Sequence, residues 1–186
     1  MVSPSRAGHA LTMSRVSDDR TLVLLRHAKA EQVPGKPDHD RELTERGRRD
    51  ATAAGAWLRD QGIVAELVIC STSQRTRQTW EYATKGGAHT EFVEYRRSVY
   101  QSGTRGLLET IHEDAGEVRT LVLVGHAPTI PDLASTLTDG NGSPDAHVAM
   151  GEGYPTAGLA VLGYHGGWAD LQRGDCRLER FHVCRG

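Results

Sequence analysis

A three-layer α/β/α sandwich around a mainly parallel central sheet is the fold class this chain predicts, and two observations predict it. Short apolar runs alternate with helix-length amphipathic segments between residues 21 and 137, which is the pattern of a parallel sheet covered on both faces. Three of those runs also end in polar segments that carry basic or imidazole side chains: Arg26 with His27, Arg75, and His126. In such a sheet the carboxyl ends of the strands share one edge, and that edge is where α/β proteins bind ligands.

The first strand is the apolar run 21–25, which ends on Arg26 and His27. Residues 32–43, with Pro34, Gly35 and Pro37, form a connection longer than most in compact domains, and it is expected to lie over that strand end. A helix is expected from Thr44 as N-cap, with Ala51, Ala54, Leu58 and Trp57 at helical spacing and Gly62 as its stop. Residues 67–70 make a second strand that breaks into a polar run, from which a helix starts near Arg75 and proceeds towards Tyr82. Backbone N–H groups at that helix start would add to an anion site.

Residues 90–95 alternate as a third strand, and Leu107, Leu108 and Ile111 mark one face of a following helix. Residues 120–125 repeat the opening theme, an apolar strand ending on His126 and turning into a helix that holds Pro128 and Pro131 in its first turn, where missing N–H groups cost nothing. Residues 138–153 are rich in Gly, Ser, Asp and Asn and read as a surface loop. Residues 155–162 read as a strand, 165–167 as a turn, and 168–171 with 178–183 as a closing hairpin or edge strands.

The length of 186 residues suits one domain, expected over 21–186 after a disordered leader at 1–20 that lacks the apolar core of a signal peptide. No run reaches the 18 or so apolar residues of a membrane span, so a cytoplasmic protein is expected. The formal net charge of -2 offers no bulk attraction to nucleic acid or anionic lipid. Cys70, Cys176 and Cys184 are odd in number and lack C-x-x-C spacing, so they read as buried thiols. The nine histidines include no H-E-x-x-H motif, and neither a P-loop nor a serine nucleophile elbow is present.

The chemistry follows from residue types. Two guanidinium forks, Arg26 and Arg75, with two imidazoles, His27 and His126, would converge on a tetrahedral oxyanion. A neutral His27 ring is a nucleophile, and a phosphohistidine intermediate would form and then be hydrolysed, with His126 donating to a phosphoryl oxygen. Lys29, Asp38 and Arg41 stand in or near the long first loop, as candidates for contact with the remote part of a substrate or as ordinary solvated residues.

The segments Leu25-Arg26-His27-Ala28-Lys29-Ala30-Glu31, Ser71-x-x-x-Arg75-Thr76-x-Gln78-Thr79 and Val124-Gly125-His126-Ala127-Pro128 resemble the histidine phosphatase superfamily, related to phosphoglycerate mutase. The short chain, the Arg41-Glu42-Leu43-Thr44-x-x-Gly47 segment and the apolar run after Pro155 are similar to its small SixA-type branch. The resemblance covers residues 21–184. It implies a phosphoglycerate-mutase-like fold, His27 as phosphorylated nucleophile, a phosphate pocket of Arg26, Arg75 and His126, and no metal or organic cofactor. Many members of the superfamily carry a general acid after the third strand, and here Glu94 is the only weak candidate. Lack of that acid favours good leaving groups such as the imidazole of phosphohistidine. The expected substrate is therefore a phosphorylated protein or a small phosphorylated compound, bound by a monomer. A catalytically weak phosphate- or phosphopeptide-binding module is the alternative from another class, and a phosphatase of small phosphate esters is the other.

Overall fold

The computed structural model describes residues 18–186, so the expected leader falls outside the described residues up to position 17. In chain order the elements are β1 (Asp19–Arg26), α1 (Glu45–Asp60), β2 (Ala65–Ser71), α2 (Gln74–Gly86), β3 (Thr90–Arg96), α3 (Ser98–Gln101), α4 (Thr104–Asp114), β4 (Thr120–Gly125), α5 (Thr129–Leu137), β5 (Thr138–Gly142), α6 (Pro144–Glu152), β6 (Gly158–His165) and β7 (Cys176–Val183). Among the described residues, seven strands form one sheet in the order β3-β2-β4-β1-β6-β7-β5. Only β6 runs against the others, pairing antiparallel with β1 and β7. The mainly parallel α/β sheet is therefore present.

The apolar runs are continuous because the central strands bury both faces. Leu22 and Leu24 of β1 pack with Leu121 and Leu123 of β4 against Leu107, Ile111, Ile130 and Leu133 of α4 and α5. Their alternates Val23, Leu25, Val122 and Val124 pack on the other face, with Ala51, Ala54 and Leu58 of α1 and Trp80 and Ala83 of α2. Each fully buried Leu or Val of this kind stabilises the fold by about 1.5–3 kcal/mol relative to exposure. These are the three layers.

Local signals account for the helix starts. Thr44 caps α1, its Oγ1 accepting the Gly47 N–H at 3.0 Å, while its own N–H donates to Lys29 O at 2.9 Å and ties the helix to the end of β1. Helices α1 and α2 approach closely through small residues. A Cβ at Gly55 would stand 1.8 Å from Ala83 O, and one at Gly86 would stand 1.9 Å from Thr52 O. Asp50, buried in α1, accepts the Gly186 N–H at 3.2 Å and faces Arg46 and Arg185, which pins the chain end to this layer.

Four expectations need correction. Strand β1 starts at Asp19, inside the expected leader, because Asp19 and Arg20 extend the ladder against His165 and Tyr164. Residues 138–153 are not a loop: they form β5 on the edge of the sheet, and then α6, capped by Ser143 Oγ on the Ala146 N–H with Pro144 in the first turn. Pairing with β7 overrides the weak strand propensity of that segment, and Gly142 lies so close to β7 that a Cβ would stand 2.1 Å from Leu178 O. The run after Pro155 becomes a strand only at Gly158, since Ala157 adopts a positive φ of 57°. Residues 168–170 form a 3-10 turn, and β7 lies between β6 and β5 instead of at an edge. No helix among the described residues is long and apolar enough to cross a membrane.

Candidate active site

Parallel pairing of β1 with β4 sets Arg26 opposite Gly125, and the His27 N–H donates to Gly125 O at 2.9 Å. His27 and His126 thus step off neighbouring strands together, with ring centroids 5.2 Å apart and planes at 56°. Arg75 arrives from the first turn of α2, directly after β2, and is buried. All four sequence-predicted residues line one cavity of about 410 Å³, together with Lys29, Asp38, Arg41 and Thr156. The long first connection does lie over the strand end, since Gln32, Asp38 and Arg41 come from it.

The ring nitrogens of His27 are distinguished by the backbone. Nδ1 lies 2.8 Å from Ala28 O, which can only accept, so Nδ1 carries the proton and Nε2 keeps its lone pair. Burial lowers the His27 pKa to about 4; the Ala28 bond opposes this, and the charges of Arg75, Arg26 and Arg41 add to it. Burial also lowers His126, to about 3, with His27 and Arg75 contributing further. His126 shares a hydrogen bond of 2.8 Å between Nε2 and Ser71 Oγ, while its Nδ1 is buried without a protein partner. Both rings are therefore neutral at pH 7, the state that nucleophilic attack requires.

Each arginine is anchored at one end. Arg26 Nη1 donates to Tyr154 O at 2.6 Å, and Tyr154 is itself held by its hydroxyl on Leu24 O. Arg26 Nε is buried without a protein partner. Arg75 Nη1 donates to Asp38 O at 2.5 Å and Nη2 to Asp38 Oδ2 at 2.8 Å. Thr79 locks the turn between the two elements, accepting the Ala28 N–H at 3.0 Å and donating to Arg75 O at 2.6 Å. Buried polar atoms are normally paired, so unpaired ones in a cavity of cations suit an oxyanion ligand.

Sequence reasoning gave no role to several residues of this arrangement. Ser71 was legible as the polar end of β2, and Thr79 stands one helical turn after Arg75, facing the same way. Tyr100 and Tyr154 gave no local signal, because α3 and the segment before β6 reach the site only through the tertiary fold. Glu94 is not among the cavity-lining residues; on β3 its carboxylate pairs with Arg96. Among the described residues no cluster of three His, Cys, Asp or Glu side chains has the arrangement to hold a metal ion.

Comparison with known proteins agrees with this geometry. The family model of the histidine phosphatase superfamily (branch 1) matches residues 22–97. The uncharacterized protein Rv1276c of Mycobacterium tuberculosis is 40% identical over 166 residues, spanning 87% of this chain and 100% of the relative. A candidate SixA phosphohistidine phosphatase from Nakamurella multipartitia superposes with a TM-score of 0.77 at 38% identity, covering 89% of this chain and 96% of its own. A second candidate SixA, from Agrobacterium tumefaciens, gives 0.71 at 30% identity, covering 88% and 97%. With this fold, these motifs and these relatives, the chain is a histidine-type phosphatase and belongs to the histidine phosphatase superfamily, in its SixA-type branch.

Proposed function

We propose that this phosphatase acts through His27 and that its substrates are phosphohistidine residues of proteins. One observation carries the reading most directly: the free lone pair of His27 Nε2, on a ring kept neutral by burial, faces a cavity shared with Arg26, Arg75 and His126. In the first step Nε2 attacks phosphorus in line. The new N–P bond forms as the bond to the leaving group breaks, and the leaving group departs with the electron pair. Arg26 and Arg75 hold the equatorial oxygens, and His126 donates to one of them. Water then attacks the phosphohistidine, releasing phosphate and regenerating the ring.

The substrate class is supported by what lines the cavity. Asp38 is its only carboxylate among the described residues, and it is held ionised near a pKa of about 2, so it has no proton for an alkoxide. Imidazole leaves phosphorus without strong acid assistance, as an alkyl alcohol does not. The SixA-type likeness of the solved relatives points the same way. In this reading the protein works in the cytoplasm as a monomer.

The test is turnover of an aryl phosphate and of a phosphohistidine peptide, with chelator present, by wild type and by His27→Ala. Wild type is expected to hydrolyse both, and the variant to lose activity by about 10³-fold or more, the scale of removing a covalent nucleophile. A His27→Ala protein that kept wild-type rates would contradict the assignment. Tight phosphate binding with no turnover by wild type would favour the binding-module reading, and faster hydrolysis of alkyl phosphates than of phosphohistidine would favour small esters.

A further inference from the structure

Asp38 stands where a negative charge is least expected, inside the cavity formed by Arg26, Lys29, Arg41 and Arg75. It is not a stray loop residue. Its Oδ1 accepts from Arg41 Nη1 at 2.8 Å, and its Oδ2 accepts from Arg75 Nη2 at 2.8 Å and from the Tyr100 hydroxyl at 3.0 Å. Its backbone carbonyl takes the second Arg75 nitrogen. Three elements thus fix one carboxylate in place, while 53% of its side chain stays exposed at the cavity mouth.

We propose that Asp38 selects substrates by charge: it admits phosphoryl compounds whose leaving group is neutral or cationic and turns away those that carry a second anion beside the phosphate. The inference rests on the assignment of His27 and its pocket as the phosphoryl site. The charge count makes the argument. Four cations and one carboxylate leave the cavity at +3 with both histidines neutral, and a bound phosphate dianion reduces this to +1. Without Asp38 the same complex would stand at +2, with Arg41 and one arm of Arg75 freed to bind a further carboxylate or phosphate of the substrate. With Asp38 those donors are occupied, and a second anion near them meets a fixed like charge. An imidazole leaving group brings no second anion beside the phosphate, so it is not penalised. A phosphorylated hydroxy acid is.

The experiment compares two aryl phosphates of nearly equal shape, para-carbamoylphenyl phosphate and para-carboxyphenyl phosphate, with the full chain and with Asp38→Asn. The asparagine keeps an acceptor oxygen for Arg75 and removes the charge; Asp38→Ser serves the same comparison if the amide variant does not fold. The ratio of kcat/KM for the carboxylate substrate to that for the carboxamide is expected to rise by about three- to tenfold in the variant at low salt, and the rise is expected to shrink as salt is added. An equal change for both substrates, leaving the ratio as in wild type, would overturn the selection and reduce Asp38 to a residue that positions Arg75. Failure of wild type to turn over either compound would overturn the phosphatase reading, and the selection with it.

Discussion

At the scale of single residues, the site depends on two imidazoles that stay neutral well below the usual histidine range. The unfolded chain titrates its histidines near 6.5, whereas burial holds His27 at about 4 and His126 at about 3. Between these values the unfolded state binds more protons than the folded one. Stability therefore falls as pH drops from about 6.5 towards 4, and these two rings impose no such loss above 6.5. Titration of the ring nitrogens by NMR should place both midpoints at least about one unit below 6.5; midpoints at 6.5 or above would contradict the burial argument. Arg26, His27, Arg75 and His126 were legible from sequence because each follows an apolar run that ends abruptly. The bonding of Asp38 was not. Its partners lie 3, 37 and 62 positions away, and only the fold brings Arg41, Arg75 and Tyr100 to one carboxylate.

Elements carry the precision of the pocket. Arg75 rides on α2, and α2 is set by its contact with α1 through Gly55 and Gly86, where added methyl groups would meet backbone oxygens. Backbone cannot rotate aside as a flexible side chain can, so Gly55→Ala should destabilise by about 1–3 kcal/mol, read as a lower denaturant midpoint. Gly151 is the contrast. It lies in α6 with nothing within 4 Å of an added Cβ, so Gly151→Ala should be neutral or stabilising, by up to about 1 kcal/mol. Equal losses at both positions would mean that the close approach of α1 and α2 is not what matters. Periodicity gave the central elements because β1, β2 and β4 are buried on both faces and read as unbroken apolar runs. It missed β5 and α6, because an edge strand of Thr, Asp, Gly and Asn is made by its pairing with β7 and not by its own propensity.

The whole molecule is a sheet that brings the carboxyl ends of β1, β2 and β4 to one edge, with a helical layer on each face and the groups proposed to bind phosphate gathered at that edge beneath the first connection. Alternation of strands and helices was enough to expect that edge. The reversed direction of β6 was not readable, since strand direction leaves no trace in hydrophobic pattern. His27 Nε2 is the atom proposed to receive the phosphoryl group, and the direct measurement is to catch it there. Rapid quenching of wild type with a radiolabelled aryl phosphate should give an acid-labile, base-stable phosphoprotein whose label maps to His27 and is absent from His27→Ala. Steady turnover with no labelled histidine at any quench time, or a label on another residue that survives in His27→Ala, would contradict it.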